Sequence, residues 1–217
     1  MQSLSDQIES EIIKKQKGEI CFAEDFKKFG NAEVVRIALF RLCRKGIIVR
    51  LSARIYLYPK RNKDGDIIHP QIAEIIKQIA KRDNAKIIPI GLSALHALGL
   101  STQDPVHLAF LSSNTTRTMK IGEVRVVFKQ TEPKNLSYKS KVCSLAIFAL
   151  KEIGKSRVQQ EELQKIYDAL SDESDEKIMH DAQLAPQWIL DILMNYIKQR
   201  DSGVHDKNPF LLRQRIV

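Results

Sequence analysis

The chain has 217 residues, 43% hydrophobic and 28% charged, enough for one substantial core or two small domains and unlike a disordered composition. No apolar run approaches the roughly 18 residues of a membrane span. The opening MQSLSDQIESEII places acids where a secretory leader needs basic residues, so a cytoplasmic protein with no membrane partner is expected. The three cysteines, Cys21, Cys43 and Cys143, lie far apart in apolar contexts. They read as reduced, buried thiols, not as a disulfide framework or a zinc site.

The formal charge of +9 is unevenly spread. Residues 31–63 carry nine Lys/Arg against one acid, Glu33, whereas residues 159–181 carry eight acids against two lysines. One basic footprint and one distant acidic segment point to a polyanionic partner met by a single region.

In chain order, Leu4, Ile8 and Ile12 form a helical stripe over residues 3–16, ended by Gly18. CFAEDFKKFG (21–30) reads as a short second helix on Phe22, Phe26 and Phe29. Asn31 is an N-cap for a third helix that turns Val35, Ala38, Leu39 and Leu42 inward and stops at Lys45-Gly46. Period two then takes over in Ile47–Arg50 and Ile55–Pro59, with Leu51–Arg54 as the turn. Three helices and a β-hairpin within about 60 residues are the layout of a winged helix-turn-helix.

RNKDGD (61–66) is a polar linker or long turn. A helix from Pro70 to Arg82, a strand at KIIPI (86–90) and a helix in GLSALHALGLS closed by Gly99 follow. Two strands, VHLAFLSS and GEVRVVFKQ, flank a turn region at TRTMKIG (116–122). The last third is helical, with segments at 139–154, 158–170 and 185–200 and an ambiguous tail carrying Phe210, Leu211 and Leu212. The expected fold class is therefore α+β. A winged helix-turn-helix (1–62) precedes a small mixed α/β domain (67–134) and a helical C-terminal region (135–217).

On the third helix, Arg36, Phe40 and Arg44 share a face at spacing four, with Arg41 beside them and Ile37 at the margin. A major groove accepts one helix, where arginine pairs with guanine and an exposed Phe40 packs on a thymine methyl. Lys45, Arg50 and the turn residue Arg54 suit phosphates, which set register without reading sequence. Glu33 either contacts cytosine or supports the helix start. The plain alternatives are a solvated arginine face and Phe40 as core padding. Against the first, a solvated face normally mixes signs, and this one has almost no acids.

F22-x3-F26-x2-F29-G30, then V34/V35-x2-A38-L39-x2-L42-x3-G46-I47-I48-x-R50-L51-x3-I55-Y56-L57-Y58-P59, resembles the winged head of AbiEi-type antitoxins. P89-x-G91-x2-A94-L95-x2-L98-G99-L100-S101-T102-Q103-x-P105 looks like the central domain of the same family. Together they cover roughly residues 19–130. The resemblance implies an antitoxin of a type IV toxin–antitoxin operon in bacteria or phage defence loci. Its head would bind upstream inverted repeats in double-stranded DNA and repress the operon. The remainder would counter a nucleotidyltransferase-like toxin without a tight complex. Carried over, the DNA-facing positions are Asn31, Glu33, Arg36, Ile37, Phe40, Arg41 and the wing from Leu51 to Tyr56, including Ser52 and Arg54. Relatives usually have Arg-Gly-Ile-Tyr at the wing where this chain has Ala53-Arg54-Ile55-Tyr56. Arginine thus replaces the residue that relaxes the turn, and either φ stays negative there or strain is accepted. A homodimer fits a two-fold operator.

No enzyme, cofactor or metal site is expected. His69, His96, His107, His180 and His205 have no ligand spacing, no phosphate-cradling loop occurs, and Asp64-Gly65-Asp66 reads as turn chemistry. Thr115, Thr116, Arg117 and Lys120 form a polar turn able to meet an anion. Competing with DNA binding are a protein-interaction adaptor, docking a partner on its head and C-terminal helices, and an RNA-binding protein holding phosphates.

Overall fold

In the computed structural model, residues 3–101 and 106–201 are described. The fold is mixed, with α-helices, small sheets and a helical C-terminal region. Packing divides it into two units, residues 1–85 with 118–125, and residues 86–117 with 126–217. The middle segment expected at 67–134 is thus shared between them.

The first unit begins with α1 (Leu4–Ile13), whose start is fixed by a reciprocal cap: the Asp6 amide donates to Ser3 Oγ at 3.2 Å and the Ser3 amide to Asp6 Oδ2 at 3.1 Å. The expected second helix is divided. Ile20–Phe22 form β1, and only Ala23–Phe29 turn, as a 3-10 helix. The cause is tertiary: β1 pairs antiparallel with β3 (Ile55–Leu57), matching Ile20 to Leu57, Cys21 to Tyr56 and Phe22 to Ile55. The chain then enters α2 (Ala32–Arg44), capped by Asn31 Oδ1, which accepts from the Val34 amide at 3.0 Å.

Helix α2 ends as its glycine predicts. Gly46 has φ of 73°, and the Ile47 amide reaches back to the Leu42 carbonyl at 3.1 Å. Strand β2 (Val49–Ser52) pairs with β3, giving a three-stranded sheet of order β1-β3-β2. Ile8, Ile12, Cys21, Phe26, Val35, Leu39, Leu42 and Ile48 form the core beneath it. The RNKDGD segment is the turn of a small hairpin, β4 (Lys60–Arg61) with β5 (Ile67–Ile68), closed where Asn62 Oδ1 accepts from the Asp64 and Asp66 amides. Helix α3 (Ile72–Arg82) buries Ile75, Ile76 and Ile79.

Beyond it run β6 (Ile87–Ile90), α4 (Leu92–Ala97), β7 (His107–Ser112), β8 (Arg117–Ile121) and β9 (Val124–Gln130), the strands in the order β6-β7-β9-β8. The region expected to be a turn at 116–122 is thus mostly strand. Arg117, Met119 and Ile121 alternate inward against exposed Thr118 and Lys120. Thr102, Gln103 and Pro105 of the second family-like motif, and the tail with Phe210–Leu212, lie outside the described residues.

The C-terminal region contains α5 (Lys141–Ile153), α6 (Gln160–Leu170), α7 (Asp175–Ala182) and α8 (Gln187–Asp201). Helix α7 lies in the acidic segment, where a sparse apolar pattern hid it; Ile178 and Ala182 are its buried face. Asp181 is buried beside them, and its carboxylate accepts from the Lys139 and Ser140 amides at 2.8 Å each and contacts His180 Nδ1 at 2.8 Å.

Candidate nucleic-acid interface

The surface of α2 follows from its buried side. Val35, Ala38, Leu39 and Leu42 are buried, which leaves Arg36, Phe40, Arg44, Ile37 and Arg41 to solvent. At about 100° per residue these five succeed one another across an arc of about 140°. Phe40 is 58% exposed and is not core padding. Val34 and Ile37 are exposed beside it, so the arc has an apolar strip flanked by guanidinium groups.

The charges on that arc differ in availability. Arg36 is paired within the helix to Glu33, its Nε donating to Oε2 at 3.0 Å while Nη2 contacts Oε1. Those bonds hold the Glu33 carboxyl below its ordinary value and raise Arg36. Arg41 and Arg44 are exposed, with no carboxylate in ion-pairing range among the described residues. Their place in the last turn also suits the negative end of the helix dipole. Lys45 reaches Glu9 at 3.6 Å. Asn31 is exposed but spends its side-chain oxygen on the cap.

The β2–β3 hairpin has two further cations outward and two expected contacts inward. Arg54 has φ of 65°, so an arginine occupies the left-handed region. Its carbonyl accepts from the Ala23 amide at 3.0 Å and its guanidinium meets Glu24 Oε1 at 2.9 Å. Arg50 is exposed and its Nε donates to the Ser52 carbonyl at 3.3 Å. Ser52 and Tyr56, carried over as DNA-facing, are 8% and 5% exposed and are not surface contacts. Ser52 Oγ donates to the Lys120 carbonyl at 2.5 Å, and Tyr56 belongs to the core. Burial pushes the Tyr56 phenol up, with Arg50, Arg36 and Arg54 drawing it back.

A model described as "Family of unknown function (DUF6088)" matches residues 7–178. The chain belongs to the DUF6088 family. No curated protein matches it. The DUF6088 match spans the whole of α2 and the β2–β3 hairpin, and its description names no activity, partner or ligand.

Elsewhere in this DUF6088 chain the chemistry is sparse. Among the described residues no group of three His, Cys, Asp or Glu side chains is placed to hold a metal ion, and no helix is long and apolar enough to cross a membrane. A cleft of about 530 Å³ in the first unit is lined by Lys15, Glu19, Asp25, Glu74, Lys81 and Arg82, among others. Its three bases and three acids balance, which gives an anion no net attraction. Arg82 has a second role that spacing could not reveal. It stands over the Phe22 ring at 4.4 Å and approaches Glu24 Oε2 at 3.7 Å. Residues 24, 54 and 82 carry no shared periodicity: the pairing of β1 with β3 brings Arg54 to Glu24, and the end of α3 brings Arg82.

Proposed function

We propose that this protein binds double-stranded DNA through a winged helix-turn-helix head, with α2 in the major groove and the β2–β3 turn on the backbone. The observation that carries the reading is the exposed arc of α2. Arg36, Arg41 and Arg44 flank an outward Phe40, and four inward residues bury the opposite side. Guanidinium groups with an apolar contact between them match the acceptor edges of guanine and the thymine methyl. The order α1, β1, 3-10 helix, α2, β2, β3 with sheet order β1-β3-β2 supports the head assignment. The resemblance to AbiEi-type antitoxins supplies the rest, repression of its own operon from inverted repeats opposite a nucleotidyltransferase-like toxin, and a two-fold operator would suit a homodimer.

A mobility shift with the duplex upstream of the gene, across a salt series, tests this. Binding should weaken with a log–log slope of about −0.9 per phosphate contacted. Arg41→Ala should erode preference for that duplex over a scrambled one by about 1–3 kcal/mol, whereas Arg50→Ala should weaken both alike. Equal, weak binding to all duplexes would overturn sequence-specific repression. The exposed Val34, Ile37 and Phe40 favour one other reading, an adaptor docking a protein on the same face. A complex that persists at high salt without duplex preference would decide for it.

A further inference from the structure

We propose that Glu24 is a competing partner that holds the Arg54 guanidinium back until a duplex phosphate displaces it, with Arg82 keeping Glu24 paired when Arg54 departs. The inference rests on the DNA-binding reading above and names how that site is regulated.

Glu24 lies at the start of the 3-10 helix, and its two oxygens face different cations. Oε1 meets Arg54 Nη2 at 2.9 Å, while Oε2 is buried, accepts no hydrogen bond and faces Arg82 Nη1 at 3.7 Å. The two arginines are unequal. Arg54 has a side chain 60% exposed on a turn, whereas that of Arg82 is 22% exposed and fixed by Asp83 Oδ1 at 2.7 Å and the Phe22 ring at 4.4 Å. A half-buried carboxylate stripped of its one cation is costly. With Arg82 immobile beside it, Glu24 can lose Arg54 without that cost.

The Arg54–Glu24 pair is itself weak because Arg54 is solvated. A phosphate offers the same guanidinium a paired, charge-assisted contact. The turn backbone does not move in this exchange, since the Ala23 amide to Arg54 carbonyl bond at 3.0 Å anchors it. Only the arginine side chain swings. Glu24 thereby lowers affinity for any polyanion and keeps the turn from binding on charge alone.

The test is a double-mutant cycle of Glu24→Gln and Arg54→Ala on duplex dissociation constants across salt. Glu24→Gln should tighten binding by up to about fivefold, the scale of one exposed ion pair, and should have no effect in the Arg54→Ala background. Equal tightening in both backgrounds, or none in a protein that binds the duplex, overturns the proposal. Arg82→Met should weaken binding, and adding Glu24→Gln should abolish that loss. If the wild-type protein binds no duplex, the DNA reading itself fails. The arrangement is then judged by denaturation: Arg82→Met should strengthen the coupling between Glu24 and Arg54, and unchanged coupling overturns it.

Discussion

The hydroxyl of Ser52 donates to the main-chain carbonyl of Lys120 at 2.5 Å, joining residues 68 apart in sequence. This half-buried bond, made by the covered Ser52, ties the β2–β3 hairpin to the tip of the β8–β9 hairpin inside the first unit. Ser52→Ala leaves that carbonyl without its partner and should cost about 1–3 kcal/mol in urea unfolding. Duplex preference in the folded fraction should be unchanged, because the side chain is covered.

Phe40 and Leu39 are neighbours with opposite consequences. Leu39 is fully buried, so Leu39→Ala should cost about 2–5 kcal/mol of stability. Phe40→Ala should change stability by no more than about 0.5 kcal/mol, while weakening the duplex binding proposed for α2. Parallel urea titrations and mobility shifts separate the two.

Asp181 is a buried acceptor for two backbone amides at the start of α5. Asp181→Ala should destabilise the second unit by several kcal/mol, since both amides lose their partner. Asp181→Asn should recover part of that, retaining one acceptor oxygen. Chemical denaturation of the full chain gives both values.

Burial pushes the Cys21 thiol up to about 11 and Cys143 up to about 12. The unfolded chain ionises these thiols near their ordinary value of 9.0, where the folded chain still holds its protons. Their contribution to stability is therefore intact below about pH 9 and is lost as pH rises through the folded values. A denaturation midpoint falling from pH 9 to pH 11, and less so in Cys143→Ala, would show it. Half-buried Cys43 should be the first to react with a thiol reagent at pH 8.

Much of α2 was legible beforehand because a 3.6-residue period and an asparagine–glycine pair of end signals act locally. The inward set Val35, Ala38, Leu39 and Leu42 follows from that period alone. Strand β1 was not legible: ICF is three residues long and its extended form depends on β3, more than thirty residues ahead. Strand β8 did show alternation in Arg117, Met119 and Ile121, a signal masked by Thr118 and Lys120. Ser52 and Tyr56 looked like wing contacts because a hairpin pattern does not say which of its faces is covered.

The order of residues by itself settled where the basic segment lies, which helix displays it and where that helix starts and stops, since each depends on neighbours within a turn or two. Only the tertiary structure decided that Arg54 sits in the left-handed region against Glu24, that Arg82 stands behind them, and that Ser52 is buried under Lys120. Those relationships join groups tens of residues apart, and no local period encodes a contact that exists only once separate elements have packed.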